Sequence, residues 1–112
     1  AVIGFDDLTA LGVVRGLSES GIRVPQDCSV MGFDDVLPAA VATPPVTTIR
    51  QPLKEMGLEA ATRVLKAIRQ GQGGEEKPWL HMPTPELVMR MSTGPAPSRG
   101  RVVRRAGDSV RV

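Results

Sequence analysis

The chain has 112 residues, 41% of them hydrophobic and 23% charged, with a formal net charge of +2. That length holds at most one domain, burying somewhat over about 60% of its extended-chain surface if it folds alone, and no apolar run approaches the roughly 18 residues of a membrane span. The single cysteine, Cys28, excludes an internal disulfide, and the opening residues lack the basic and apolar segments of a secretory signal, a combination that fits a reducing cytoplasm.

The positive charge is gathered at one end. Within residues 96–112, Arg99, Arg101, Arg104, Arg105 and Arg111 are offset only by Asp108, which leaves residues 1–95 slightly acidic. A folded lobe is expected over 1–95 and a basic, disordered tail over 96–112, where arginines stand among Gly, Pro and Ser. No aromatic residue interleaves these arginines, so base stacking has no support.

In chain order, Ala1 to Gly4 reads as a strand that begins at the first residue, as though the chain were cut from something larger. Asp6 or Asp7 is placed to cap a helix running to about Ser20, and Gly21 to end it in a left-handed turn. Its apolar residues Leu8, Ala10, Leu11, Val13, Val14 and Leu17 cover more than one face. The surplus around Leu11 predicts a second packing surface, either another subunit or the rest of a larger domain. A turn at Pro25 leads to a second strand, Cys28 to Phe33. The stretch Val36 to Pro45 is expected to be irregular, because Pro38, Pro44 and Pro45 oppose ladders and helices.

A third, β-branched strand spans Val46 to Arg50. Gln51-Pro52 then opens a long helix, with proline at the tolerated first position and Leu53, Met56, Ala60, Ala61, Val64, Leu65 and Ile68 at helical spacing before Gly71. A polar loop over 72–77 and two short strands, Pro78 to Met82 and Glu86 to Met91, complete the folded part. The expected class is α/β, a parallel-sheet three-layer lobe.

The chemistry lies in a repeat. Gly-Phe-Asp-Asp occurs at Gly4 to Asp7 and again at Gly32 to Asp35, 28 residues apart, each copy directly after a short apolar run. That spacing suits a strand, a crossover helix and a second parallel strand. Both acidic pairs then emerge at one edge of the sheet, where open α/β folds bind ligands. One aspartate of each pair is expected to cap a helix or bond a turn. The other is expected to accept hydrogen bonds from ligand hydroxyls or amines, for which charged acceptors are about twice as strong as neutral ones. Asp34 carries this reading more firmly than Asp6, since no helix visibly follows Asp35.

Other chemistries find less support. A glycosidase pair needs an enclosed cleft, and a Mg²⁺-binding phosphoacceptor site needs a lysine after a later strand, where Ile49-Arg50-Gln51 stands instead. Phosphate loops and Ser-His-Asp or Cys-His sets are missing, so neither catalysis nor a metal or other cofactor is expected. Cys28 reads as an inert packing residue, His81 as an ordinary strand histidine, and Trp79 as a packing residue or, alternatively, a sugar-stacking platform.

Four segments, Phe5 to Gly12, Gly21 to Asp35, Pro44 to Pro52 and Glu86 to Pro95, closely resemble in order and spacing the C-terminal part of LacI-family transcriptional regulators. The resemblance covers residues 1 to about 95 and implies most of one lobe of a periplasmic-binding-protein-like effector domain, incomplete by itself. It implies a small-molecule effector, often a sugar or nucleobase, held between two lobes, and DNA bound through an N-terminal helix-turn-helix absent from these residues. A homodimer away from any membrane is implied as well. Asp6 and Asp34 match effector contacts, and Gln51 and Phe33 match residues at the same pocket. Leu11, Pro38, Ala39 and Ala42 match dimer surfaces. Asp6 departs from the family, which usually has Asn there. Two carboxyls facing one pocket repel, so one binds as the neutral acid or needs a cation from the other lobe, and a donor-rich effector such as a sugar, polyol or amine is favoured over an anion. A sugar-transport binding protein shares the same fold and stands as the alternative.

Overall fold

The computed structural model describes residues 1–70 and 83–96. The expected loop over 72–77, the expected strand over 78–82 with Trp79 and His81, and all but the first residue of the arginine tail lie outside the described residues. The elements, in order, are β1 (Val2–Ile3), α1 (Asp7–Glu19), β2 (Val30–Met31), α2 (Leu37–Val41), β3 (Thr48–Arg50), α3 (Leu53–Gln70) and β4 (Glu86–Val88). The described residues divide between two compact units, one of residues 1–50 with 87–96 and one of residues 51–70 with 83–86.

In the first unit β1 and β2 pair in parallel, Val2 opposite Val30 and Ile3 opposite Met31. The 28-residue spacing of the acidic repeat is therefore the pairing register itself. The ladder continues past the strands, with the Gly4 N–H donating to the Met31 carbonyl at 2.7 Å and the Asp7 N–H to that of Phe33 at 2.9 Å. On the other side of β2 a parallel bridge joins Met31 to Thr47. There the N–H groups of Gly32 and Asp34 donate to the carbonyls of Thr47 and Ile49, each at 2.9 Å. β1, β2 and β3 thus end at one edge. β3 also pairs with β4.

Each element has a local cause. Asp6 is the N-cap of α1, extended at φ −144° and ψ 179°, and its side chain accepts the Thr9 N–H at 2.7 Å. Asp7 adds negative charge to the first turn, where the helix dipole favours it. Gly21, at φ 71°, supplies the left-handed stop after α1. In the turn before β2, Arg23 grips Asp27 with two side-chain N–H groups at 2.7 and 2.9 Å.

The core of this unit is small. Ala10 and Val14 of α1, Val30 of β2, Ala39 of α2 and Val46 ahead of β3 are buried, with Leu11, Val13, Leu17, Val24, Val36 and Ala42 packed around them.

Two expectations need correction. Val36 to Pro45 is not wholly irregular, because Leu37–Val41 forms a short helix with Pro38 in its first turn, where no intrahelical N–H is required. α2 packs against α1 and takes up part of the apolar surplus on that helix. The last strand stops at Val88 instead of Met91. From Arg90 onward side chains join the backbone pairing, which continues with the Met91 N–H on the Pro45 carbonyl at 3.1 Å and the Val30 N–H on that of Ser92 at 2.8 Å. Buried Ser92 donates to the Val30 carbonyl at 2.6 Å and accepts the Thr47 N–H at 2.8 Å, joining β2 to the start of β3. The alternation of Leu87, Met89 and Met91 with Val88 and Arg90 is present, and the half-buried members are Val88 and Arg90.

The second unit is chiefly α3. It begins one residue after Pro52 and carries an i,i+4 ion pair of Arg63 with Glu59 at 2.7 Å.

Candidate functional site

The two Gly-Phe-Asp-Asp copies meet where β1 and β2 end, and their glycines allow the approach. A Cβ on Gly32 would lie 2.2 Å from Asp7 Oδ1, and one on Gly4 would lie 2.9 Å from the Ala10 nitrogen. The pairing offset that joins Val2 to Val30 brings Asp6 to the same edge as Asp34, and Phe5 to the same edge as Phe33. Phe5 is almost fully exposed and Phe33 partly so.

The four aspartates do different work. Asp7 is buried and serves the scaffold. Its Oδ1 accepts the Thr48 hydroxyl at 2.6 Å, and its Oδ2 accepts the Val36 N–H at 2.8 Å. One carboxylate thereby ties the start of α1 to β3 and to the chain leaving β2.

Asp35 binds two arginines. Its Oδ2 accepts from Arg50 Nε at 2.6 Å and its Oδ1 from Arg90 Nη2. Burial works to raise this carboxyl, but the hydrogen bonds and positive charges of Arg90 and Arg50 outweigh it and hold the group below the usual carboxylate range. An arginine-paired carboxylate is a poor Mg²⁺ ligand. Among the described residues no group of three or more His, Cys, Asp or Glu could hold a metal ion.

Asp6 and Asp34 stand at the strand ends themselves. The Thr9 backbone N–H, with help from the Thr9 side chain, holds the Asp6 carboxyl below its ordinary value. Asp34 and Asp35 have φ angles of 100° and 56°, two consecutive non-glycine residues in left-handed backbone. Such residues cost about 1–3 kcal/mol each and persist where the surroundings over-determine them. Here the Asp34 N–H is fixed to Ile49, the Asp35 side chain to two arginines, and the following N–H to Asp7.

The expectation is that one aspartate of each pair caps locally and the other meets the ligand. Asp6 does cap, yet its neighbour Asp7 turns into the fold, so that division fails in the first copy. Thr48, Arg90 and Ser92 were missed as site-building residues. Buried hydroxyls within the β-branched Thr47-Thr48 run were the one available signal.

The other expected positions are distributed differently. Gln51 opens the second unit. Ala39 is fully buried in the core of the first unit, so it packs α2 and offers no outer surface. Leu11 and Ala42 are half-buried against that core, and Pro38 is exposed. A separate open cavity of about 350 Å³ lies between the C-terminal half of α1 and the turns preceding β2 and β3, lined by Val14, Ser18, Ile22, Val24 and Thr43 among others. It contains none of the expected site residues.

The periplasmic binding protein-like domain family matches residues 1–93. The chain is 40% identical over 95 residues to the HTH-type transcriptional regulator DegA of Bacillus subtilis, a match that covers 85% of this chain and 27% of DegA. It therefore spans little more than a quarter of that relative's length. Among solved structures it is similar to the Lac repressor dimer bound to operator and the anti-inducer ONPF, with 34% identity, a TM-score of 0.67, and coverage of 81% of this chain and 30% of that one. It is likewise similar to a LacI family transcriptional regulator from Enterococcus faecalis V583 with bound ribose, at 35% identity and a TM-score of 0.70, covering 85% and 34% of the two chains.

Proposed function

We propose that this chain, which belongs to the periplasmic-binding-protein-like domain family as LacI-family transcriptional regulators carry it, senses a small donor-rich effector, a sugar or related polyol, at the acidic edge where β1 and β2 end. The observation that carries this reading is the register. Two parallel neighbours deliver identical Gly-Phe-Asp-Asp ends to one edge, and in each the second aspartate is engaged in holding the scaffold. Asp34 and Asp6 then accept hydrogen bonds from effector hydroxyls, with Phe33 beside them at the same edge. Ribose is bound by the Enterococcus faecalis neighbour, which supports a sugar as the ligand class.

In the whole protein the second lobe closes over this edge, and the effector shifts the two-lobe equilibrium and with it operator affinity through a helix-turn-helix outside these residues. Residues 1–95 form the lobe, with the arginine-rich residues 96–112 as a basic tail beyond it. The protein acts in the cytoplasm as a homodimer, with Leu11, Pro38 and Ala42 on the side of α1 and α2 that meets the second copy. The Lac repressor neighbour, a dimer on its operator, supports this assignment.

Titration calorimetry on the full-length protein with ribose, lactose and cellobiose, set against anionic metabolites such as ribose 5-phosphate and citrate, tests the effector class. Saccharide binding lost in Asp34→Asn is expected. Tight binding of an anion with no saccharide response would overturn the proposal.

A further inference from the structure

Arg90 lies 55 positions along the chain from Asp35, beyond β4, yet it is built into the acidic edge. Its backbone N–H donates to Thr47 Oγ1 at 3.0 Å, its Nη1 to the Val46 carbonyl at 2.8 Å, and its Nη2 to Asp35 Oδ1. Two guanidinium contacts and a fixed backbone N–H leave the side chain little freedom, and it is only 15% exposed. Arg50, which takes the other Asp35 oxygen, is 52% exposed. The less exposed arginine, Arg90, is therefore the better anchor, since exposed ion pairs are loosened by water and salt.

What this anchor holds is the left-handed turn of Asp34 and Asp35. The backbone N–H groups of Asp34 and Val36 are bonded to Ile49 and Asp7, which fixes the entry and exit of the turn. The Asp35 side chain fixes its middle. Rotation about Asp35 would swing the preceding carboxyl, Asp34, which stands three residues beyond β2.

We propose that Arg90 is a positioning residue of the effector site: clamped to Val46 and Thr47, just ahead of β3, it holds the Asp35 carboxylate and so sets the direction in which Asp34 meets the ligand. The inference rests on the reading of Asp34 as an effector contact, but the geometry it asserts is measurable with no ligand present.

The test is residue-resolved amide hydrogen exchange on the full-length protein, comparing wild type with Arg90→Gln, Asp35→Asn and the double variant. Expected is exchange faster by about tenfold or more at Asp34, Asp35 and Val36 in each single variant, with the core amides of Val14 and Val30 within about twofold of wild type. The double variant is expected to fall short of the sum of the two single ones, because both remove the same Asp35–Arg90 bond. Arg90→Lys, which keeps the charge and loses the forked donor, carries the same comparison if Arg90→Gln does not fold. Unchanged exchange at residues 34–36, acceleration spread evenly over turn and core, or additive effects in the double variant would each overturn the positioning role. Saccharide titration of Asp34→Asn bears on the effector reading alone, so an unaltered affinity there beside a loosened turn in Arg90→Gln would remove that reading and leave the anchor standing.

Discussion

Thr48→Val is the sharpest probe of the tie that gathers the strand ends. Thr48 and Asp7 are both buried, and the hydroxyl donates to the carboxylate at 2.6 Å. Valine keeps the branched shape, so the change leaves almost no cavity, and the loss is the bond to Asp7 together with the longer one, 3.4 Å, that the Asp35 N–H makes to the same oxygen. Bonds to charged groups contribute about 1.5–3 kcal/mol net, and Asp7 keeps the Val36 N–H but is left short of its second donor. A destabilisation of about 2 kcal/mol follows, equivalent to a folding constant smaller by about 30-fold. In equilibrium urea unfolding with a slope of roughly 2 kcal/mol/M, the midpoint falls by about 1 M with the slope unchanged. Combining Thr48→Val with Asp7→Asn is expected to give a coupling energy of about 1 kcal/mol or more, because the two side chains share one bond. A Thr48→Val midpoint within about 0.2 M of wild type would show that Asp7 draws its stabilisation from elsewhere, and the account of the joined strand ends would fail with it.

Three further outcomes are checked on the same protein. Gly32→Ala drives a methyl to 2.2 Å from Asp7 Oδ1 and 3.0 Å from its Cα, and a loss of about 1–3 kcal/mol is expected in the same unfolding assay. Asp35 has its folded carboxyl depressed below the ordinary 3.8, so its contribution is present above that value and is lost as pH falls through the folded value. Asp35→Asn is accordingly less stable near neutrality and loses less than wild type on acidification, as pH-dependent thermal unfolding will record. Asp6→Asn retains an oxygen for the Thr9 N–H and is expected to keep the wild-type melting temperature near neutral pH, whereas Asp6→Ala lowers it.

The parallel pair was legible because it depends on spacing and chemistry that sit within one short window. A capping acid, a helical run, a left-handed glycine and a second apolar run follow one another over 28 residues, and the pairing register equals that repeat. The extent of each strand was not legible. Cys28 to Phe33 carries strand-forming residues throughout, yet only Val30–Met31 is regular strand; beyond it the N–H groups of Gly32 and Asp34 pair individually with Thr47 and Ile49. α2 was hidden by Pro38, whose helix-breaking tendency applies to interiors and not to a first turn. Arg90 was hidden by distance along the chain: no periodicity links it to Asp35, and a charged residue alternating with Leu87 and Met89 looks like a solvated strand face. The division of roles among the aspartates follows from which of them β3 and the chain after β4 can reach, and neither segment is near them in sequence.

The repeat assigns labour by position within each copy. The second aspartate turns inward in both, Asp7 to Thr48 and Val36, Asp35 to Arg50 and Arg90. The first remains at the end of its strand. Asparagine would cap α1 as well as aspartate does, so the helix requires an oxygen at position 6 but not a charge. The Thr9 N–H that satisfies the cap also keeps that charge in place by holding the carboxyl below its ordinary value. On the proposed reading, capping therefore sets where Asp6 stands and its ionisation sets what it admits. A fixed negative acceptor beside a second carboxyl strengthens hydrogen bonds from hydroxyls and amines and raises the cost of bringing in an anion, and that electrostatic asymmetry separates saccharides from phosphorylated or carboxylated metabolites at this edge.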